Sequence, residues 1–271
     1  MSTLLKFLAI ALAVYVLVVV VAWLGQRRLM YVPDATPYTP QSLGLTAVDV
    51  REVRTPDGAR LVVWRTAAKP GNPVLLYFHG NAGGLATRAD RIRRYQARGI
   101  GIVMMSYRSY SGSTGYPTEA HNVADALLVF DGLVAEGFQP KDVVLYGESL
   151  GAAVAVQVAT QRAVGGLILD APFTSMVDMA LRTYPFLPVR PLLADRYDSI
   201  HHITRVTVPL LVLHGERDEL VPVSMGRAMH AAALAPKELV VFPKGLHTDL
   251  DEHGAVDVVE RWLGAIGLIR G

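Results

Sequence analysis

The sequence of 271 residues contains no cysteine. This absence excludes disulfide bonds, catalysis by a thiol, iron–sulfur clusters and zinc sites built on thiolates. It leaves the cellular compartment open, because a chain without cysteine suits either redox environment.

The chain also lacks the clustered positive charge that nucleic-acid binding requires. It has 26 Lys and Arg against 24 Asp and Glu, and three of the basic residues (Lys6, Arg27 and Arg28) lie in residues 1–28, where there is no acid. The remainder is therefore nearly neutral, and we expect no nucleic-acid partner. With 51% hydrophobic residues, the chain is too apolar to be disordered.

One segment accounts for much of this apolar character. Residues 7–25 form an uncharged run that is long enough to cross a bilayer as a helix. We interpret residues 1–28 as a single-pass N-terminal membrane anchor. A cleaved secretory signal is the alternative, but its apolar region is usually shorter and the small-residue site at 20–22 is weak. The side of the membrane stays open, since Lys6 and the terminal amine balance Arg27 and Arg28.

The rest of the chain divides into a linker and one domain. Residues 29–44 include a stretch rich in proline and threonine, which favours an extended linker. Residues 45–271 suit a single α/β domain.

Short apolar runs predict eight strands, and longer periodic segments between the later ones predict helices. The strands are expected at 47–54, 60–66, 73–78, 101–106, 142–146, 166–170, 209–213 and 238–242, and the helices at 86–98, 118–136, 150–162, 222–234 and 254–266. From the third strand onward this order indicates a mostly parallel sheet with helices on both faces. The first two strands, joined at Pro56-Asp57-Gly58, are expected to form an antiparallel hairpin.

The connection over about 173–208 is unusually long and contains Tyr184, Phe186 and Leu187 among several prolines. It is too apolar to be disordered, so we interpret it as a short cap inserted over the domain. These three side chains are candidates for substrate contact.

The clearest catalytic motif is Gly147-Glu148-Ser149-Leu150-Gly151, between a predicted strand and a predicted helix. This context is typical of a nucleophile elbow, in which a sharp turn lifts the serine hydroxyl clear of the sheet. The alternative is a glycine-rich turn with an incidental serine.

A serine nucleophile needs a base and a carboxylate to orient that base. Asp218 follows the strand 209–213 and His247 follows the strand 238–242, so the chain order is serine, acid, histidine. Other acids compete with Asp218 for the role: Glu216, Glu219, Asp249 and Asp170. The oxyanion of the reaction also needs two backbone amides, and we assign them to Leu150 and to Asn81 in the loop after the third strand.

These motifs resemble those of the α/β-hydrolase superfamily, and within it the membrane-anchored abhydrolase-domain branch that includes acyl-protein thioesterases and lysophospholipid hydrolases. The resemblance extends from about residue 45 to the C-terminus and rests on HGNAGG at 79, GESLG at 147, APFTSM at 171, HGERDELVP at 214 and the His247 loop. It implies an α/β-hydrolase fold with Ser149, Asp218 and His247 as the catalytic triad, and Asn81 and Leu150 at the oxyanion hole.

One loop departs from the pattern of that branch. Where the branch has DYRGYGxSxG, residues 106–115 carry serine at positions 109 and 111 in place of glycine. The substitutions put in question the conformation of the loop and any substrate contact that it makes, including one by Tyr107.

Two other clusters have simpler interpretations. His201 and His202, near Asp195 and Asp198, lack the spacing of a metal-binding motif, so we expect no metal. The arginines between 88 and 98 cover more than one side of a helix, which favours a solvated surface over a face for anionic lipid.

The sequence therefore predicts a serine hydrolase without a cofactor, acting on ester or thioester bonds of a small-molecule or lipid acyl substrate. A carboxylesterase, a lysophospholipase and an acyl-protein thioesterase all fit this description. A serine peptidase of the same fold and a catalytically silent, membrane-tethered binding protein are the alternatives.

Overall fold

The computed structural model describes residues 3–269 of the chain. Its strands, in chain order, are β1 (Val32–Pro33), β2 (Asp49–Arg54), β3 (Arg60–Thr66), β4 (Val74–Phe78), β5 (Ala82–Gly83), β6 (Gly101–Met105), β7 (Val143–Glu148), β8 (Gly166–Asp170), β9 (Leu210–Gly215) and β10 (Lys237–Phe242). Its α-helices are α1 (Thr3–Met30), α2 (Ala89–Ala97), α3 (Glu119–Ala135), α4 (Leu150–Ala159), α5 (Met176–Thr183), α6 (Val189–Leu192), α7 (Ser199–His202), α8 (Val223–Ala232) and α9 (Ala255–Ala265).

Eight of the strands form one mostly parallel sheet in the order β10-β9-β8-β7-β4-β6-β3-β2. The hairpin β2–β3 is antiparallel, and β3 also pairs antiparallel with β6. Central strands β4, β6, β7 and β8 are buried along their whole length, as expected for parallel strands covered on both faces. The predicted architecture, including the hairpin, is confirmed.

Alternation along the strands divides the core into two layers. On β4, the side chains of Val74, Leu76 and Phe78 pack with α3 and α4, whereas Leu75 and Tyr77 pack with α2 and α9. Apolar side chains from the same strands thus pack against helices on both faces of the sheet.

The segment that we expected to be a linker, 29–44, lies against the domain. Met30, Tyr31 and Pro40 are buried. β1 pairs in parallel with β5, which follows the HGN loop, and forms a small second sheet that the sequence patterns did not predict. The chain therefore passes directly from α1 onto the end of the domain where β4 ends.

The long connection after β8 forms the expected cap, with α5, α6 and α7 along it. Helix α1 lies beside this cap. Within residues 3–269, α1 is the one helix that is long and apolar enough to span a membrane, and its most apolar stretch is exposed.

Candidate active site

Ser149 lies on a sharp turn between β7 and α4. Its φ of 51° is in the left-handed region, which non-glycine residues rarely adopt. The flanking glycines allow the close approach of the backbone. A Cβ at Gly147 would lie 2.3 Å from the carbonyl oxygen of Gly151, and a Cβ at Gly151 would lie 2.0 Å from that of Phe78. This is the geometry that a nucleophile elbow requires.

A continuous hydrogen-bond chain runs from Ser149 to an acid. The distance from Ser149 Oγ to His247 Nε2 is 3.0 Å, and that from His247 Nδ1 to Asp218 Oδ2 is 2.7 Å. Asp218 follows β9 and His247 follows β10, so neighbouring parallel strands bring both side chains to the edge of the sheet where β7 ends. In this arrangement His247 can take the proton of the serine hydroxyl as its oxygen attacks a carbonyl carbon.

The Asp218 carboxylate is fixed by further donors. Its Oδ1 accepts the backbone N–H groups of Leu220 (2.9 Å) and Val221 (2.8 Å). Its Oδ2 lies 3.4 Å from Nε2 of the buried His214, which also bonds to the carbonyl of Val221 at 2.8 Å. His214 was not predicted as part of the site, although its position four residues before Asp218 at a strand end is a usable signal.

The competing acids lie elsewhere. Glu216 pairs with Arg227 at 3.0 Å, Glu219 is exposed, and Asp249 accepts the backbone N–H of Leu246 at 2.7 Å. Asp170 is buried behind the elbow, where its backbone carbonyl accepts the N–H of Ser149 at 2.8 Å. Asp218 is thus the acid in the hydrogen-bond chain.

The electrostatics of the Asp218–His247 pair favour its charged form. Burial alone would raise the pKa of Asp218, but hydrogen bonds from His214 and His247 hold it well below its usual range. Burial alone would lower the pKa of His247, but the Asp218 carboxylate outweighs this and raises it above the ordinary value. An imidazolium formed during a reaction would be stabilised by the same carboxylate.

The two backbone amides that the sequence analysis assigned to an oxyanion hole belong to Asn81 and Leu150. Within residues 3–269, the N–H groups of Asn81 and Leu150 donate to no other protein group. Asn81 is held by its other polar atoms: its carbonyl accepts the N–H of Val32 (3.0 Å) and the hydroxyl of Tyr110 (2.6 Å), and its side chain donates to the carbonyl of Met30 (3.0 Å). The end of α1 and the start of β1 therefore position the loop that carries this amide.

A buried ionic cluster lies directly behind the nucleophile. Glu148, next to Ser149, pairs with Arg88 at 2.5 Å and lies 3.4 Å from Arg91. Arg91 also pairs with Asp170 (3.0 Å) and Asp251 (2.6 Å). The expectation of a solvated arginine surface is therefore wrong for Arg88 and Arg91, because three acids from distant parts of the chain converge on them.

Within this cluster, the pKa values of Glu148 and Asp170 are shifted from their ordinary values in opposite directions. Burial alone would raise the pKa of Glu148, but Arg88 and Arg91 hold it well below its usual range. For Asp170, burial dominates and raises the pKa to about 6 although Arg91 opposes this shift.

The four candidates for substrate contact divide into two pairs. Tyr184 and Leu187 line a cavity of about 280 Å³ beneath the cap, which Asn81 also lines. Tyr107 is fully buried against His79 and Tyr110, and Phe186 is 61% exposed outside the cavity wall. Neither Tyr107 nor Phe186 lines this cavity.

The loop 106–115 keeps a glycine-like backbone despite its serines. Ser109 and Ser111 both have positive φ, 71° and 47°. Ser109 Oγ donates to the carbonyl of Gly115 (2.6 Å), and Ser111 Oγ accepts the N–H of Leu85 (2.9 Å). One hydrogen bond within the loop and one to the segment after β5 thus offset the strain of the left-handed conformation.

His201 and the acids near it have protein partners. His201 bonds to Asp198 at 2.7 Å, and Asp195 bonds to Arg27 and Tyr31 at 2.9 and 3.0 Å. Among residues 3–269, no three histidine or acidic side chains gather as a ligand set for a metal.

Known proteins resemble this chain in sequence and in fold. In sequence, residues 74–201 match the family model described as the alpha/beta hydrolase family. The chain is 38% identical to the protein Rv2307c of Mycobacterium tuberculosis over 252 residues, covering 91% of this chain and 90% of that protein. It is 31% identical to the alpha/beta hydrolase domain-containing protein WAV2 of Arabidopsis thaliana, covering 83% and 82%. The structure of the Pyrococcus furiosus esterase Pf2001 aligns with a TM-score of 0.70 at 18% identity, covering 87% of this chain and 98% of that one.

Proposed function

Because the chain belongs to the alpha/beta hydrolase family, we propose that it is a serine hydrolase that cleaves acyl esters or thioesters. The observation that carries this proposal is the hydrogen-bond chain from Ser149 through His247 to Asp218, at 3.0 and 2.7 Å.

Each residue of the site has a defined role in the proposed reaction. Ser149 Oγ attacks the acyl carbonyl carbon while His247 Nε2 takes the hydroxyl proton, and Asp218 orients the imidazole and stabilises its charge. The N–H groups of Asn81 and Leu150 bind the oxyanion of the tetrahedral intermediate. His247 then protonates the leaving alcohol or thiol, which departs and leaves an acyl-enzyme on Ser149. Water, activated by His247, hydrolyses this ester and regenerates the serine.

The test is the hydrolysis of p-nitrophenyl butyrate by the full-length protein in mild detergent, together with labelling by a fluorophosphonate probe. We expect turnover and labelling for the wild type and neither for Ser149→Ala. Ser224→Ala, at an exposed serine on α8, is the matched control and should retain both. A well-folded wild-type protein that neither reacts with the probe nor hydrolyses any ester would overturn the proposal in favour of a silent binding protein.

We also propose that α1 anchors the protein in a membrane. The helix has 28 residues, about 42 Å at 1.5 Å per residue, and Arg27 and Arg28 follow its apolar run. The full-length protein should stay with the membrane pellet after an alkaline carbonate wash, and its intact mass should include residues 1–28. A shortened mass in a soluble fraction would indicate a cleaved signal peptide instead.

A further inference from the structure

The cavity of about 280 Å³ lies between the second half of α1 and the cap. Six residues of α1 line it: Val19, Ala22, Trp23, Gln26, Leu29 and Met30. Residues of α5, α6 and the segment between these helices form the opposite wall. The N-terminal helix is therefore part of a cavity wall as well as a candidate anchor.

The wall is suited to a hydrocarbon chain. Its cap side includes Met176, Met179 and Leu192, and its polar members are largely engaged with the protein. Gln26 accepts the N–H of Ala194 (2.7 Å) and donates to the carbonyl of Trp23 (2.7 Å). A ligand in this cavity would meet mainly apolar atoms, which favour an acyl chain over a polar group.

The cavity wall includes one residue of the proposed reaction centre. Asn81 lines the cavity, and its backbone amide is the proposed oxyanion donor. An acyl chain that fills the cavity would therefore lie beside the loop that carries this proposed oxyanion donor.

With α1 in a membrane, the other end of the cavity would lie at the depth of the bilayer. Val19 lies within the apolar run 7–25, whereas Met30 lies beyond Arg27 and Arg28, so the cavity follows α1 from the hydrocarbon region past the charged pair. The tip of the cap reaches even further along the helix, because the hydroxyl of Tyr15 donates to the carbonyl of Phe186 at 2.9 Å.

The cavity is also open along α1. Trp23 and Leu29 line it and yet remain 51% and 59% exposed. The exposed Phe186 side chain at the tip of the cap would be unfavourable in water and favourable in lipid. With α1 in a membrane, this opening would face the acyl chains of the surrounding lipid.

We propose that this cavity binds the acyl chain of a lipid ester that enters sideways from the bilayer between α1 and the cap. The inference rests on the proposed hydrolase function and deepens it: the substrate is a membrane-resident long-chain acyl ester, and the membrane helix forms one wall of its site.

The first test measures kcat/KM for p-nitrophenyl palmitate relative to p-nitrophenyl butyrate, with protein reconstituted in phosphatidylcholine vesicles. Ala22→Trp places a large ring in the cavity and should lower this ratio by about tenfold or more, since each buried methylene contributes roughly fourfold. Val21→Trp is the matched control, because Val21 is 60% exposed on α1 and is not part of the cavity wall. It should leave the ratio unchanged.

The second test is independent of turnover. Ser149→Ala protein is reconstituted in phosphatidylcholine vesicles that contain a palmitoyl ester with a diazirine near the end of its chain, and crosslinked peptides are identified after irradiation. We expect crosslinks within 19–30 and 176–193, and fewer of them when Ala22→Trp is added.

The outcomes separate this inference from the function on which it rests. Ser149-dependent hydrolysis with a chain-length ratio that Ala22→Trp does not change would overturn the acyl cavity and leave the hydrolase standing. Crosslinks in the cavity without hydrolysis of any ester would overturn the hydrolase and support a lipid-binding cavity. Crosslinks confined to residues 3–18 would overturn the cavity even if hydrolysis is observed.

Discussion

Asp218 shows how a single side chain sets the chemistry of the proposed triad. Two backbone amides hold its Oδ1, while His214 and His247 face its Oδ2. Its carboxylate therefore stays charged, and that charge raises the pKa of His247. The proposed base is thus more basic than an ordinary histidine.

We predict that kcat/KM for p-nitrophenyl butyrate rises with pH and reaches its half-maximal value above pH ~6.5, the ordinary pKa of histidine. The reason is that His247 accepts a proton only when it is neutral, and its pKa is raised. Asp218→Asn should move this midpoint down and lower kcat by about 10⁴-fold, because the oriented carboxylate is lost.

The control for this prediction is Glu216→Gln, which removes an exposed acid of the same loop that pairs with Arg227. It should leave both the midpoint and kcat unchanged. A drop in kcat for Glu216→Gln together with a normal profile for Asp218→Asn would assign the role of the acid to Glu216.

At the scale of one element, the elbow between β7 and α4 depends on backbone contact that only glycine allows. Helix α4 lies so close to the end of β4 that a methyl group at Gly151 would lie 2.0 Å from the Phe78 oxygen and 2.9 Å from that of His79. The loop that carries the Asn81 amide begins there. A clash at Gly151 would therefore displace both sides of the proposed oxyanion hole.

We predict that Gly151→Ala lowers the free energy of unfolding by about 3 kcal/mol, the upper part of the range for overpacking. It should also lower kcat by more than tenfold, because the proposed oxyanion donors move. Urea denaturation followed by circular dichroism and an ester hydrolysis assay measure the two effects.

Gly132→Ala is the matched control for this prediction. Gly132 lies inside α3, and a methyl group there would contact nothing within 4 Å. Alanine should raise the free energy of unfolding by about 0.5–1 kcal/mol through its better helix propensity. Equal effects of the two substitutions would contradict the role of close packing at the elbow.

At the scale of the whole molecule, Arg91 joins parts of the chain that are far apart in sequence. From α2 it reaches Glu148 at the end of β7, Asp170 at the end of β8 and Asp251 just after the His247 loop. Its guanidinium also lies over the rings of Tyr77 and Tyr146 at 5.7 and 5.5 Å. The cluster thus fixes the end of β7, which precedes the proposed nucleophile, and the segment just after the loop that carries the proposed base.

We predict that Arg91→Met lowers the free energy of unfolding by about 3–5 kcal/mol, because Asp170 and Asp251 lose their ion pairs with Arg91 while Glu148 keeps its pair with Arg88. Arg93→Met removes an arginine from the same helix whose ion pair with Asp90 is exposed, so its effect should stay below about 1 kcal/mol. Urea denaturation compares the two variants. A loss below 1 kcal/mol for Arg91→Met would mean that the cluster adds little to stability.

Much of this molecule follows from local patterns in the sequence. The eight strands of the main sheet were predictable because apolar runs bounded by turns are a short-range signal. The positions of Ser149, Asp218 and His247 followed from the same signal, since residues just after parallel strands meet at one edge of the sheet. The chemistry of each residue type then limited the roles that it could take.

Other features were decided only by the tertiary structure. The pairing of β1 with β5, the burial of Arg88 and Arg91, and the cavity between α1 and the cap all join segments that are distant in the chain. No local pattern distinguishes Arg91, buried among three acids, from Arg93 two residues later on the surface. The physical reason is that burial and ion pairing depend on which distant groups arrive at a position, whereas strand and helix patterns depend on neighbours along the chain.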